Sequence, residues 1–299
     1  MRIAITGAGG FIGSHVTQIA SGSGNEVVAI GRTKIDLPNV RFQECDLHDH
    51  NTMRAALADL EADLLIHLAW YAEPGKFWTA PENLDCVSSS IELVRAFVKA
   101  GGKRVLVSGS CAEYDWTEPC LDERDTNLNP STLYGQSKAS LFQILSAASP
   151  ILGFELAWGR IFFPFGPGDR PERLLGTLMT AARENRPAVF SSGTQERDFM
   201  FVEDVASALW ALATSGAVGP VNIGSGTPVS VREFVEQAAT LVKVPLSLEF
   251  GKKALQAGEP QTLFASTKRL REEVGFLPQY TREAALLRTF EKEGLVSPS

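Results

Sequence analysis

Residues 1–13 read MRIAITGAGGFIG, and the way this stretch is punctuated decides the fold. Ile3, Ala4 and Ile5 predict a short apolar strand. Thr6-Gly7-Ala8-Gly9-Gly10-Phe11-Ile12-Gly13 then turns directly into a helix start. Glycines at 7, 10 and 13 are spaced G-x-x-G-x-x-G. Glycine lets the backbone approach phosphates closely, and the free N–H groups of a first helical turn point at an anion. The unit closes as strand–helix–strand within about 30 residues, the context that separates a dinucleotide fingerprint from a chance glycine turn.

Outward from that stretch, Val16, Ile19 and Ala20 keep helical spacing until Ser21-Gly22-Ser23-Gly24-Asn25 stops it. Strands are predicted over 26–30, 40–44, 63–68 and 103–108, with helices over 49–60 and 83–99 between them. The alternation argues a doubly wound parallel α/β (Rossmann) sheet. A further strand is expected over 155–162, a helix over 174–184, another over 204–214 and a last sheet strand at 221–223. A short strand is expected over 246–250. The expected division is a dinucleotide-binding domain, 1–165 plus about 199–226, and a smaller, discontinuous substrate lobe, 166–198 plus 227–299, with the site in the cleft between them.

The chain has 299 residues, 44% hydrophobic and 21% charged, enough for a packed core. A net charge of −7 disfavours nucleic acid or an anionic membrane as a general partner. Cys45, Cys86, Cys111 and Cys120 form no C-x-x-C pair, which fits free thiols in a reducing compartment. A strand begins at residue 2, no apolar run approaches the ~20 residues of a membrane span, and a cytoplasmic protein is expected. No metal site is expected.

Three places carry chemistry. After the second strand come Ile30-Gly31-Arg32-Thr33, with no acid until Asp36. A carboxylate there would bond the ribose 2′-OH of NAD, whereas Arg32 suits the 2′-phosphate of NADP. Tyr134 and Lys138 stand at i and i+4, on one helix face. A phenol ordinarily titrates near ~10. A neighbouring ammonium is expected to lower that value and fit the phenol for proton exchange with a hydroxyl or alkoxide. A serine ending strand five can hold the same oxygen. His67, inside the fourth strand, reads as a packed neutral ring.

These motifs together resemble the extended branch of the short-chain dehydrogenase/reductases, the nucleotide-sugar group. TGAGGFIG at 6–13, DL at 46–47, HLAW at 67–70, YGQSK at 134–138, RDFMFVEDVA at 197–206 and VNIGSG at 221–226 carry the likeness. The resemblance implies a catalytic Ser110, Tyr134 and Lys138. It places Gly7, Gly10, Phe11, Ile12, Gly13 and Arg32 on the cofactor's phosphates and ribose, and Asp46 and Leu47 on its adenine. Leu68, Ala69, Trp70, Ser108 and Phe163 would lie toward the nicotinamide, with Lys138 on its ribose. Ser110, Cys111, Arg173 and Arg197 would meet the substrate, Arg197 at its pyrophosphate. Family members are commonly homodimers through helices that match 83–100 and 134–149.

Departures from the family pattern narrow the choice. The Thr-Asp-Glu of the 4,6-dehydratases is replaced by Ser110-Cys111-Ala112, and Glu113 falls one place late, turned to the other side of a strand. The Asn and Tyr of R-x-x-N-x-Y-G-P are Phe163 and Phe165, which makes the expected pocket more apolar. The second pyrophosphate arginine is missing from 255–259, with Arg170 or Arg173 as substitutes. The implied activity is an NADPH-dependent reductase acting on C4 of a nucleotide-linked 4-keto-6-deoxysugar. The alternatives are an NAD-dependent nucleotide-sugar 4-epimerase and a non-catalytic NADPH-binding or sensing protein.

Overall fold

The computed structural model describes residues 1–58, 60–242, 246–254 and 258–297. The first half runs β1 (Arg2–Thr6), α1 (Gly13–Gly22), β2 (Glu26–Gly31), β3 (Val40–Glu44), α2 (His50–Ala58), β4 (Leu64–His67), α3 (Glu82–Lys99) and β5 (Arg104–Ser110). A short 3-10 turn over Cys111–Glu113 follows, then β6 (Cys120–Leu121), α4 (Leu133–Leu152), β7 (Glu155–Ile161) and β8 (Phe163–Phe165). The rest comprises α5 (Leu174–Glu184), β9 (Ala188–Val189), β10 (Glu196–Arg197), β11 (Phe199–Phe201), α6 (Val202–Thr214) and β12 (Gly219–Ile223). It ends in β13 (Val229–Ser230), α7 (Val231–Leu241), β14 (Leu248–Glu249), β15 (Thr262–Ala265), α8 (Lys268–Glu272) and α9 (Arg282–Lys292).

The main sheet has seven strands in the order β12-β7-β5-β4-β1-β2-β3, every pair parallel. The chain reverses direction across the sheet next to β1, so the doubly wound expectation holds. Strands covered on both faces must be apolar throughout. Ile3, Ile5, Leu65, Ile66, Val105 and Leu106 are accordingly buried. One face packs on α1 and α6 through Val16, Ala20, Leu209 and Leu212. The other packs on α2, α3 and α4 through Met53, Leu57, Leu93, Phe97, Leu141 and Leu145. A third core joins α5, α7 and α9 around Leu178, Phe234 and Phe290. Leu270 of α8 and Phe276 return to the first face of the sheet.

Boundaries differ from expectation where pairing overrides local pattern. The strand expected to stop at 108 continues to Ser110, because Gly109 and Ser110 still pair with Arg160 and Ile161 of β7. The strand expected to reach 162 ends at Ile161. Phe163–Phe165 then pairs with Phe199–Phe201 in a separate two-stranded ribbon. No local signal marks that ribbon, since its partners are 36 residues apart in sequence. The strand expected over 246–250 is the two-residue β14, and Asp59, at the end of the expected 49–60 helix, lies outside the described residues.

Candidate active site

A cleft of about 780 Å³ opens at the carboxyl ends of β1, β2 and β4. Gly7, Gly9 and Gly10 form its floor, and Arg32, Lys34, Asp46, Leu47, Ala69 and Trp70 line its walls. Gly7 is left-handed at φ 70, and a Cβ there would sit 2.7 Å from the Ala69 nitrogen. A Cβ on Gly13 would lie 1.9 Å from the Gly7 carbonyl oxygen, so only glycine lets α1 start against this turn. No side chain caps α1 and no acid stands in its first turn. Backbone donors and an unscreened helix dipole therefore face the floor, a cradle built for a diphosphate. The residues fit a dinucleotide. Arg32 is exposed on the rim, with no ion-pair partner among the described residues.

Ser110, Tyr134 and Lys138 come together beside this cleft. Thr132 caps α4 by accepting from Gly135 N at 3.1 Å, and Tyr134 N donates to Trp78 O at 3.1 Å. Those two bonds aim the first turn of α4 at the end of β5. The Tyr134 ring meets Phe77, Trp78 and Trp70 edge-on, with centroids 4.9, 5.8 and 6.4 Å away. The Ser110 hydroxyl, at the end of β5, faces the Tyr134 phenol and favours its charged form. Lys138 Nζ donates to Ser108 O at 2.7 Å and lies 3.6 Å from the Trp70 ring centre. Trp70 is itself held, its Nε1 donating to Asn83 Oδ1 at 2.8 Å.

The electrostatics correct one expectation. Burial raises the Tyr134 phenol above its ordinary range, and the Ser110 hydroxyl only partly opposes that. Lys138 does not lower it. The ammonium is instead driven down to about 7 by its own burial, with Glu113 and Cys86 opposing. Ring packing around Tyr134, contributed by the 77–78 segment, outweighs the helical neighbour.

The remaining expected residues divide. Asp46, Leu47 and Ala69 line the cleft, and Leu68 N donates to Thr6 O at 3.1 Å, setting β4 against the glycine turn. Cys111 is packed with Tyr114, Leu121 and Phe162, with Phe163 against the same cluster. Burial pushes its thiol up to about 12, so it stays protonated near neutral pH. Arg173 pairs with Asp169 at 3.3 Å and lies 5.8 Å from the Phe11 ring. Arg197 is buried, 5.6 Å from the Phe163 ring, and already bonded to Glu259 Oε1 at 2.7 Å. Within the 255–259 segment, residues 255–257 lie outside the described ones. Glu113 sits on the 3-10 turn rather than a strand and points into the core. Three groups escaped the sequence reading: Phe77, Trp78 and Asn83. An aromatic pair in the loop after a sheet strand was their one local signal.

The fold and the site together define a dinucleotide-binding protein of the doubly wound α/β class. The chain belongs to the NAD dependent epimerase/dehydratase family, whose sequence pattern matches residues 3–224. The UDP-glucose 4-epimerase of Lacticaseibacillus casei is 25% identical, over 94% of this chain and 92% of that protein. The UDP-glucuronic acid decarboxylase 1 of Arabidopsis thaliana is 26% identical, over 96% of this chain and 68% of that one. Among solved structures, MoeE5 in complex with UDP-glucuronic acid and NAD superposes with a TM-score of 0.87 at 30% identity, covering 98% of this chain and 99% of that one.

Proposed function

We propose that the protein carries out hydride chemistry at C4 of a nucleotide-linked sugar, and that its net reaction is 4-epimerisation. The placement of Tyr134 and Lys138 against Trp70, a wall of the cleft above the glycine turn, carries this reading, with Ser110 ending β5 beside them. The relatives favour epimerisation over net reduction, since UDP-glucose 4-epimerases match over nearly the whole chain. Gly7, Gly10, Phe11, Ile12 and Gly13 would hold the cofactor's diphosphate, Asp46 and Leu47 its adenine, and Lys138 the ribose beside Trp70. Bound NAD supplies the hydride acceptor. Tyr134 holds the proton of the C4 oxygen and Ser110 donates a hydrogen bond to the same atom. In the oxidising half the Tyr134 phenolate would take the C4 hydroxyl proton as hydride leaves C4; in the reducing half the phenol, the form that burial favours here, would return it to the C4 oxygen as hydride comes back. Thr-Asp-Glu chemistry for water loss has no counterpart, because Cys111 stays protonated and Glu113 faces the core.

One observation favours net reduction of a 4-keto-6-deoxysugar as a second reading. The cleft is lined by Arg32 and Lys34, and the sequence after β2 has no acid before Asp36, an arrangement that suits NADPH. Arg170, which lines the cleft and pairs with Glu73, and Arg173, which pairs with Asp169, are the substitutes for the diphosphate arginine missing from 255–259. A homodimer through α3 and α4 fits the exposed Leu84, Ile144 and Ile151 on these helices.

Denaturing the purified protein and identifying the released nucleotide begins the test. The protein is then incubated with UDP-glucose, UDP-glucuronic acid and UDP-N-acetylglucosamine, without added cofactor, and C4 configuration is read by NMR. In parallel, nucleotide 4-keto-6-deoxysugars are offered with NADPH. Epimer formation with no net cofactor loss upholds the main reading. Stoichiometric NADPH oxidation replaces it with the reductase. Tight nucleotide binding with no turnover in either arm leaves the sensing protein.

A further inference from the structure

Glu113 is fully buried, yet no step above uses it. Its carboxylate closes a capping box with Ser110. Ser110 N donates to Glu113 Oε1 at 2.7 Å, while Ser110 Oγ accepts from Ala112 N at 3.2 Å. The second bond engages an oxygen lone pair of the serine and leaves its proton free to point out of the turn. The carboxylate is in turn pinned from β7. Arg160 Nε donates to Oε2 at 2.7 Å, and Trp158 Nε1 lies 3.0 and 3.1 Å from the two oxygens.

The closed turn is wedged between β7 and α4. A Cβ on Gly109 would fall 2.1 Å from Trp158 Nε1 and 2.5 Å from Glu113 Oε1. On the other side, a Cβ on Gly135 would fall 2.1 Å from the Ala112 carbonyl oxygen. Gly135 directly follows Tyr134, so the turn is packed hard against the backbone that carries the phenol. Moving the turn moves Ser110 relative to Tyr134.

We propose that Glu113 is a positioning residue for the C4 reaction: it clamps Ser110 and, through the turn it closes, sets that hydroxyl against Tyr134. The inference rests on the reading of Ser110 and Tyr134 under Proposed function. A buried pair such as Glu113–Arg160 is replaceable by neutral apolar groups without losing the fold, whereas removing one partner strands a charge. That difference supplies the second variant.

Glu113→Gln and Glu113→Val/Arg160→Met are compared with wild type for NAD dissociation constant, Ser110 amide hydrogen exchange, KM, kcat and the deuterium isotope effect of a C4-deuterated sugar. The double variant is expected to lose kcat on the order of 10²-fold, the scale of a misplaced reacting group. Its KM and NAD affinity stay unchanged, its isotope effect grows and its Ser110 amide exchanges faster. Glu113→Gln keeps one acceptor oxygen for Ser110 N but leaves the buried Arg160 charge unpaired, so it is expected to lose stability as well as kcat. A folded double variant with wild-type kcat overturns the proposal. So does a parallel loss of kcat and NAD affinity, which marks a purely structural pair. Wild type with no C4 turnover on any sugar overturns the functional reading instead, and Ser110 exchange still reports whether Glu113 holds it.

Discussion

Tyr134 shows how far a single side chain can be read from its neighbours in sequence. Its partnership with Lys138 predicts a lowered phenol, but Phe77 and Trp78 bury the ring and reverse the direction. Tyr134→Phe removes the proton-transfer group while keeping the ring packing. Its turnover on a competent sugar is expected to fall by roughly 10²- to 10⁴-fold, with nucleotide affinity unchanged by fluorescence titration. Unaltered turnover would remove Tyr134 from the mechanism. Arg32 is simpler, because it stands on the rim with no competing partner among the described residues. Arg32→Ala is expected to weaken NADPH by about 1.5–3 kcal/mol, the range of a charge-assisted hydrogen bond, and NADH hardly at all. Equal losses measured by calorimetry would deny it the 2′-phosphate.

At the scale of elements, the glycine turn and the centre of the sheet are held by different means. Gly13 works by having no side chain. Gly13→Ala is expected to cost about 1–3 kcal/mol by overpacking and to strip bound nucleotide from the purified protein, measured by the absorbance ratio. The sheet centre is pinned by polar bonds: His67 Nδ1 meets Thr6 Oγ1 at 2.6 Å and Nε2 meets Ser90 Oγ at 2.7 Å. Burial first, and the Lys138 charge second, drive this ring down to about 3 from 6.5. The unfolded chain therefore binds a proton between those values that the folded chain refuses, so stability falls as pH drops from 6.5 toward 3. His67→Phe removes that contribution. It should be less stable at pH 7, with Thr6 and Ser90 each losing one hydrogen bond, but lose less melting temperature between pH 6.5 and 4. An identical slope would place the acid sensitivity elsewhere.

For the whole molecule, Asp198 ties the loop after β12, the edge strand of the main sheet, to β15. Its carboxylate is buried and accepts from Ser225 N at 2.8 Å, Gly226 N at 2.9 Å and Ala265 N at 3.0 Å. Asp198→Ala strands three backbone donors, each costing about 1–3 kcal/mol. A stability loss of at least about 3 kcal/mol by urea unfolding is expected. A loss below 1 kcal/mol, about the net worth of one ordinary hydrogen bond, would show that water replaces the carboxylate.

What the sequence by itself determined is what depends on neighbours along the chain. The glycine turn, the alternation of apolar strands and helices, and the i, i+4 placement of Tyr134 and Lys138 are all short-range patterns. Their physical constraint acts within one or two turns of backbone. Tertiary structure alone decided the rest. Arg197 meets Glu259 across 62 residues, and Phe163–Phe165 finds Phe199–Phe201. Glu113 looked like a strand residue facing away; its fate was settled by Trp158 and Arg160, on a strand more than forty residues later. The charge state of a buried group follows from what surrounds it in space, and residues close in space but distant in sequence leave no local trace.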